Sequence, residues 1–124
     1  SIATPKGFEP NKDVVKEAQK TTNIELTTDP FAATKNADVV AADTFASIHN
    51  LDKKRLQKFL PKYQINDKLM KSAKKDAIFL HCLPAKRGQE VTSSVIDGPQ
   101  SVVWDEAENR LHTQKALLAA LIRA

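Results

Sequence analysis

The chain predicts an α/β fold with a mostly parallel sheet and helices on both faces. Three observations carry that expectation. The short unalternating apolar runs Val39-Val40-Ala41-Ala42 and Ala77-Ile78-Phe79-Leu80 read as strands buried on both faces. Stretches with helical periodicity and cap residues lie between the apolar runs. The two kinds of segment alternate along the chain, with no repeat, linker or low-complexity stretch between them.

Each element has its own warrant. Residues 1–4 form a strand that Pro5-Lys6-Gly7 breaks. Asn11 is an N-cap for a helix through about residue 20, with Val14, Val15 and Ala18 on one face. Residues 23–27 form a short strand. Asp29-Pro30 starts a brief helix, with proline at its favoured first position. Residues 37–42 form a buried strand ending at Asp43. Residues 52–59 read as a basic amphipathic helix whose Lys53-Lys54-Arg55 cluster is a solvated face. Asn66 starts a helix through about residue 73. The strand at 77–80 follows, then a helix at 92–96 and a last strand at 101–104. The longest helix, 107–123, is expected to turn Leu111, Leu118, Leu121 and Ile122 inward. Trp104 and the Leu117-Leu118 pair are expected in the core.

Composition bounds the function. A chain of 124 residues supports one hydrophobic core. With 41% hydrophobic and 27% charged residues it belongs with soluble globular chains. The net charge of +4 is mild, and lysines alternate with acids, as in Lys12-Asp13 and Lys75-Asp76. Little aromatic interleaving accompanies them, which argues against nucleic acid as a partner. The single cysteine excludes an internal disulfide and agrees with a reducing, cytoplasmic setting. No apolar run approaches the ~20 residues of a membrane helix, and no signal peptide is visible.

The chemistry gathers at the strand ends. Ligands of parallel sheets bind beyond the carboxyl ends of the strands. Here those ends deliver Asp43, then His81 and Cys82, then Asp105 and Glu106 with Arg110 on the following helix. An acid, a thiol and an arginine on one edge suit a cationic amine substrate beside an anionic group. Arg87 and Arg110 are expected to lower the Cys82 pKa. Plainer readings stand beside these. Cys82 can be a small buried hydrophobe, and His81 a strand-end histidine held by its neighbours. Asp43 can be a turn or cap residue. Arg110 has Glu106 and Glu108 at helical pairing distance. His49 and His112 read as surface residues, and His81, Cys82 and His112 lack the spacing of a structural zinc site.

Long contiguous stretches point further: His81-Cys82-Leu83-Pro84-Ala85-Lys86-Arg87-Gly88 with Glu90-Val91-Thr92, and Val95 through Arg110 with its Trp104-Asp105-Glu106-Ala107-Glu108-Asn109-Arg110 end. Ala3-Thr4-Pro5-Lys6-Gly7-Phe8-Glu9-Pro10 agrees. Through these the chain resembles the ornithine-binding domain of the ornithine carbamoyltransferases, over residues 1–124. The His-Cys pair favours them over their aspartate-using relatives. The resemblance implies a Rossmann-like, three-layer α/β domain and carbamoyl transfer from carbamoyl phosphate to ornithine, giving citrulline. It implies no cofactor and no metal. Residue by residue, it implies that Asp43 grips the ornithine α-amino group and that Ser47 belongs to the loop closing over ornithine. Cys82 contacts the reacting amine, with the Leu83 carbonyl beside it and His81 adjoining. Arg110 reaches carbamoyl phosphate, and the Leu83–Pro84 peptide is cis. Where the family carries Ser-Met-Gly, this chain has Ser47-Ile48-His49, so Ile48 offers backbone groups on a stiffer, β-branched residue.

By the same resemblance the ornithine-binding domain is partial. The carbamoyl-phosphate domain, with its phosphate loop, and the first strand and helix of the ornithine domain are not in these residues. Two strand edges in mid-sheet are therefore expected to lie open. The complete enzyme is expected to be a trimer-based homo-oligomer working in arginine biosynthesis. The alternative is a non-catalytic amino-acid-binding or structural fragment that needs a complementary segment.

Overall fold

The structure, a computed structural model, describes residues 1–46 and 53–122. Ser47 and Ile48 lie outside the described residues. In chain order the elements are β1 (Ile2–Ala3), α1 (Lys12–Ala18), β2 (Leu26–Thr27), α2 (Pro30–Thr34), β3 (Val39–Ala42), α3 (Lys53–Phe59), α4 (Asp67–Met70), β4 (Ile78–His81), α5 (Ser93–Ile96) and α6 (Val103–Ile122).

Local chemistry sets the helix starts as expected. Asn11 Oδ1 accepts the Asp13 and Val14 N–H groups. Asp29 Oδ1 accepts the Phe31 N–H, with Pro30 at the first helical position. Asn66 Oδ1 accepts the Leu69 N–H. Each side chain satisfies donors that have no partner within the helix.

The strands form two parallel pairs, β1 with β2 and β3 with β4. Val40 lies opposite Phe79 and Ala42 opposite His81. Val40 and Phe79 share one face and are buried, in a core with Leu69, Met70, Val91, Ile96 and Val103. Val39 and Ile78 share the opposite face, where they are 47% and 36% exposed. The cover expected on both faces of this pair is therefore present on one. A second cluster joins Phe45, Phe59 and Tyr63, with Phe45 stacked on Phe59 at 4.7 Å between ring centroids.

The last strand and the last helix differ from expectation. Phe79 N–H donates to the Gln100 carbonyl and Val102 N–H to the Phe79 carbonyl, so only Ser101 bridges to β4. The backbone then turns into α6 at Val103, where Asp105 and Glu106 suit the positive end of the helix dipole. Val103 is buried, but Leu111, Leu118, Leu121 and Ile122 are each more than half exposed, as is Leu117. Trp104 is 61% exposed rather than in the core. An apolar helical stripe marks a face that can be covered; it does not supply the cover.

A cleft of about 470 Å³ separates the strand pairs, lined by Ile2 and Ala3 on one side and Val39 to Ala42 on the other. Ile2 N–H bonds to β2, through the Glu25 carbonyl. Ladder alternation turns the Ala3 backbone groups away from β2. In the same way Ile78 N–H bonds to the Asp38 carbonyl, so the Val39 and Ala41 backbone groups face away from β4. The cleft-facing edges of β1 and β3 pair with no strand among the described residues. Open edges recruit other strands. The purified chain is expected to self-associate in sedimentation velocity at low micromolar concentration. A cooperative monomer across the concentration series contradicts that expectation.

Candidate functional site

The register of β3 and β4 builds the site. Because Ala42 and His81 are paired, the next residues, Asp43 and Cys82, leave the sheet side by side. Cys82 Sγ donates to Asp43 Oδ1 at 3.3 Å. The same oxygen accepts the Thr44 N–H at 2.6 Å, which fixes the carboxylate at the strand end. Both side chains belong to exposed residues. The Leu83–Pro84 peptide is cis, and Leu83 has a φ of 53°. That left-handed conformation is unusual for a residue with a branched side chain. Its N–H is held by His81 Nδ1 at 2.9 Å.

Cys82, Leu83 and Arg110 line one hollow of about 490 Å³, with Trp104 on its wall. Asp43 lines the cleft between the strand pairs instead. The Cys82–Asp43 hydrogen bond joins the two spaces. Arg110 is exposed. Its two expected partners are occupied elsewhere: Glu106 Oε2 accepts the His81 N–H at 2.9 Å, and Glu108 pairs with His112 at 3.1 Å. The structure thus brings Asp43, Cys82, Leu83 and Arg110 together around two joined spaces.

Two expectations change. The His81 ring is sealed inside, with its side chain 0% exposed, and it faces Glu90 rather than a ligand space. The strand's alternation puts it on the buried face with Phe79. The Cys82 thiol is not acidified. Burial pushes its pKa up, and the hydrogen bond to Asp43 and that residue's negative charge push the same way. Arg87, counted as a nearby cation, is taken by Asp97 in a two-pronged ion pair. That pairing holds the Asp97 carboxyl below the ordinary carboxylate range.

The sign gives a test. A raised pKa keeps the neutral thiol at pH 7, and the thiolate is the reactive form. Cys82 alkylation in the native chain is expected to rise with pH, with a midpoint above the ordinary thiol value of about 8.5. Asp43→Asn removes the charge that opposes ionisation, so the midpoint falls. A native midpoint below that of a free thiol, or none of the fall in Asp43→Asn, contradicts the assignment.

Glu90 is the residue that the sequence reading gave no role, and Glu106, expected near Arg110, instead accepts the His81 N–H. Glu90 sits in the polar run Lys86-Arg87-Gly88-Gln89-Glu90, where nothing in the sequence marks it as the acid that folds inward. Among the described residues no group of three or more His, Cys, Asp or Glu side chains could hold a metal ion. No helix among them is long and apolar enough to cross a membrane.

Comparison with known proteins gives this geometry a family. Residues 1–121 match the family model of the aspartate/ornithine carbamoyltransferase Asp/Orn binding domain. The chain is 64% identical over 121 residues to an ornithine carbamoyltransferase of Cenarchaeum symbiosum, covering 98% of this chain and 40% of that protein. The solved ornithine carbamoyltransferase from Pyrococcus furiosus superposes with a TM-score of 0.85 at 50% identity, over 94% of this chain and 39% of the other. That from Campylobacter jejuni gives 0.86 at 36% identity, over 99% and 42%. The chain spans about 40% of the length of the curated relatives it matches. It belongs to the aspartate/ornithine carbamoyltransferase family, within the Asp/Orn binding domain.

Proposed function

We propose that this chain supplies the ornithine side of a carbamoyltransferase that converts ornithine and carbamoyl phosphate to citrulline. The observation that carries the reading is the Cys82–Asp43 hydrogen bond at adjacent strand ends. Asp43 offers the carboxylate for the α-ammonium of ornithine. Cys82 and the Leu83 carbonyl face the side-chain amine, and Arg110 faces the phosphate-bearing substrate. Ser47 and Ile48, which the resemblance assigns to the amino-acid end, lie outside the described residues.

The step is a group transfer. The side-chain amine attacks the carbamoyl carbon and forms a C–N bond. The carbamoyl–oxygen bond breaks, phosphate leaves with the bonding pair, and the amine loses a proton. Catalysis is then mostly positioning and charge stabilisation. A neutral Cys82 thiol donates to Asp43 and keeps its sulfur lone pairs toward the reacting groups, so it positions rather than attacks. Carbamoyl phosphate is held mainly by a carbamoyl-phosphate domain outside these residues. We place the complete enzyme in arginine biosynthesis, in the cytoplasm, as a trimer-based homo-oligomer. A lone thiol at the site suits a reducing compartment.

Ornithine binding is tested by protection of Cys82. Saturating ornithine is expected to slow its alkylation, and Asp43→Asn to abolish the protection. Alkylation that ignores ornithine at every concentration removes the support for this reading. Protection without citrulline formation in a completed enzyme favours a non-catalytic amino-acid-binding piece.

A further inference from the structure

The deepest charged group in the described chain lies under the Cys82 loop. Glu90 is 0% exposed and His81 1%. Glu90 Oε1 accepts the Lys86 N–H at 2.6 Å and faces His81 Nε2 at 3.4 Å. On the other side of the ring, His81 Nδ1 accepts the Leu83 N–H at 2.9 Å. A nitrogen that accepts carries no proton, so the ring proton sits on Nε2, toward Glu90. Glu90 is itself anchored, because its carbonyl accepts the Ile65 N–H at 2.8 Å. The loop after Cys82 is thus gripped from inside at Leu83 and at Lys86.

We propose that Glu90, acting through His81, is a positioning residue that sets the Leu83 N–H and so the aim of Cys82 and the Leu83 carbonyl. Its meaning for the reaction rests on the function proposed above; its geometry stands without substrate. A purely stabilising role fits poorly. His81 Nε2 and Glu90 Oε2 are buried without a formed hydrogen bond, and a buried polar pair left incomplete costs stability that an apolar pair would not. The contacts these two side chains do make go to the loop backbone, at Leu83 and Lys86. Glu90 Oε1, 3.4 Å from His81 Nε2, sets a carboxylate directly behind the ring.

The test uses the 124-residue chain. Nitrogen-15 NMR of the His81 ring reports the tautomer, and Cys82 alkylation reports the loop. The wild-type chain is expected to show the Nε2–H tautomer. Glu90→Gln keeps an oxygen in the same place, so it retains that tautomer and an alkylation rate within about twofold. Glu90→Ala releases the tautomer and changes the alkylation rate well beyond that range. A folded Glu90→Ala chain with unchanged tautomer and rate overturns the proposal. If that variant does not fold, the wild-type spectrum decides, since an Nδ1–H or freely exchanging ring overturns it equally. No ornithine enters these measurements. Failure of ornithine protection therefore counts against the proposed function and not against this role for Glu90.

Discussion

The purified 124-residue chain forms no measurable citrulline from ornithine and carbamoyl phosphate. This is the largest expected effect, and it follows from charge. The proposed step expels phosphate, so cations must meet the charge that develops on the leaving oxygens. Arg110 is available beside Cys82. Arg87 lines the same hollow but is tied to Asp97. One guanidinium on an open surface is a poor substitute for an enclosed cationic site. Removing a single preorganised donor costs about 10²–10³ in rate. Losing two together therefore removes about 10⁴–10⁶ on the same scale. A colorimetric citrulline assay on the purified chain is the check. Turnover near the enzyme median of about 10 per second contradicts the expectation.

The second large effect is on stability. Phe79→Ala is expected to unfold the chain at ordinary temperatures or bring it close to unfolding. Phe79 is 0% exposed and sits opposite Val40 at the centre of the main core. Its backbone is also the hinge to the last segment, bonded to Gln100 and Val102. Truncating a buried phenylalanine costs about 3–5 kcal/mol, against a total of about 5–15 kcal/mol for a domain. The exposed sheet face at Val39 and Ile78 puts this chain toward the low end. The melting temperature should fall by about 10–20 °C. Leu118→Ala is the contrast. Leu118 is 57% exposed on α6, so its loss should cost within about 0.5 kcal/mol. Thermal melts followed by circular dichroism separate the two, and equal melting temperatures contradict the packing described.

The site was legible where local signals decide. Two unalternating apolar runs ended at Asp43 and at His81-Cys82, and parallel pairing of those runs was enough to set acid beside thiol. Asn11, Asp29 and Asn66 were readable as caps because a cap depends on residues two or three away. What escaped the sequence depends on contacts it does not name. The apolar stripe of α6 was visible, but whether anything in the chain covers it was not. Arg87 looked free because its partner, Asp97, is ten residues on and across a turn. The fate of His81 depended on Glu90, which is held beneath it where Ile65 and Val91 bridge. The thiol pKa is raised by burial and then by Asp43 beside the sulfur, so the direction expected from the arginines had the wrong sign.

One measurement bears most directly on the reading as a whole. This chain is grafted into the Pyrococcus furiosus ornithine carbamoyltransferase in place of the matching 39% of that protein, and the purified chimera is assayed for citrulline. Folded chimera is expected to turn over within about one to two orders of magnitude of the parent, since half the positions already agree. Cys82→Ser and Asp43→Asn should each lower that rate by about 10²-fold or more. A folded, correctly assembled chimera that binds carbamoyl phosphate yet makes no citrulline contradicts the account.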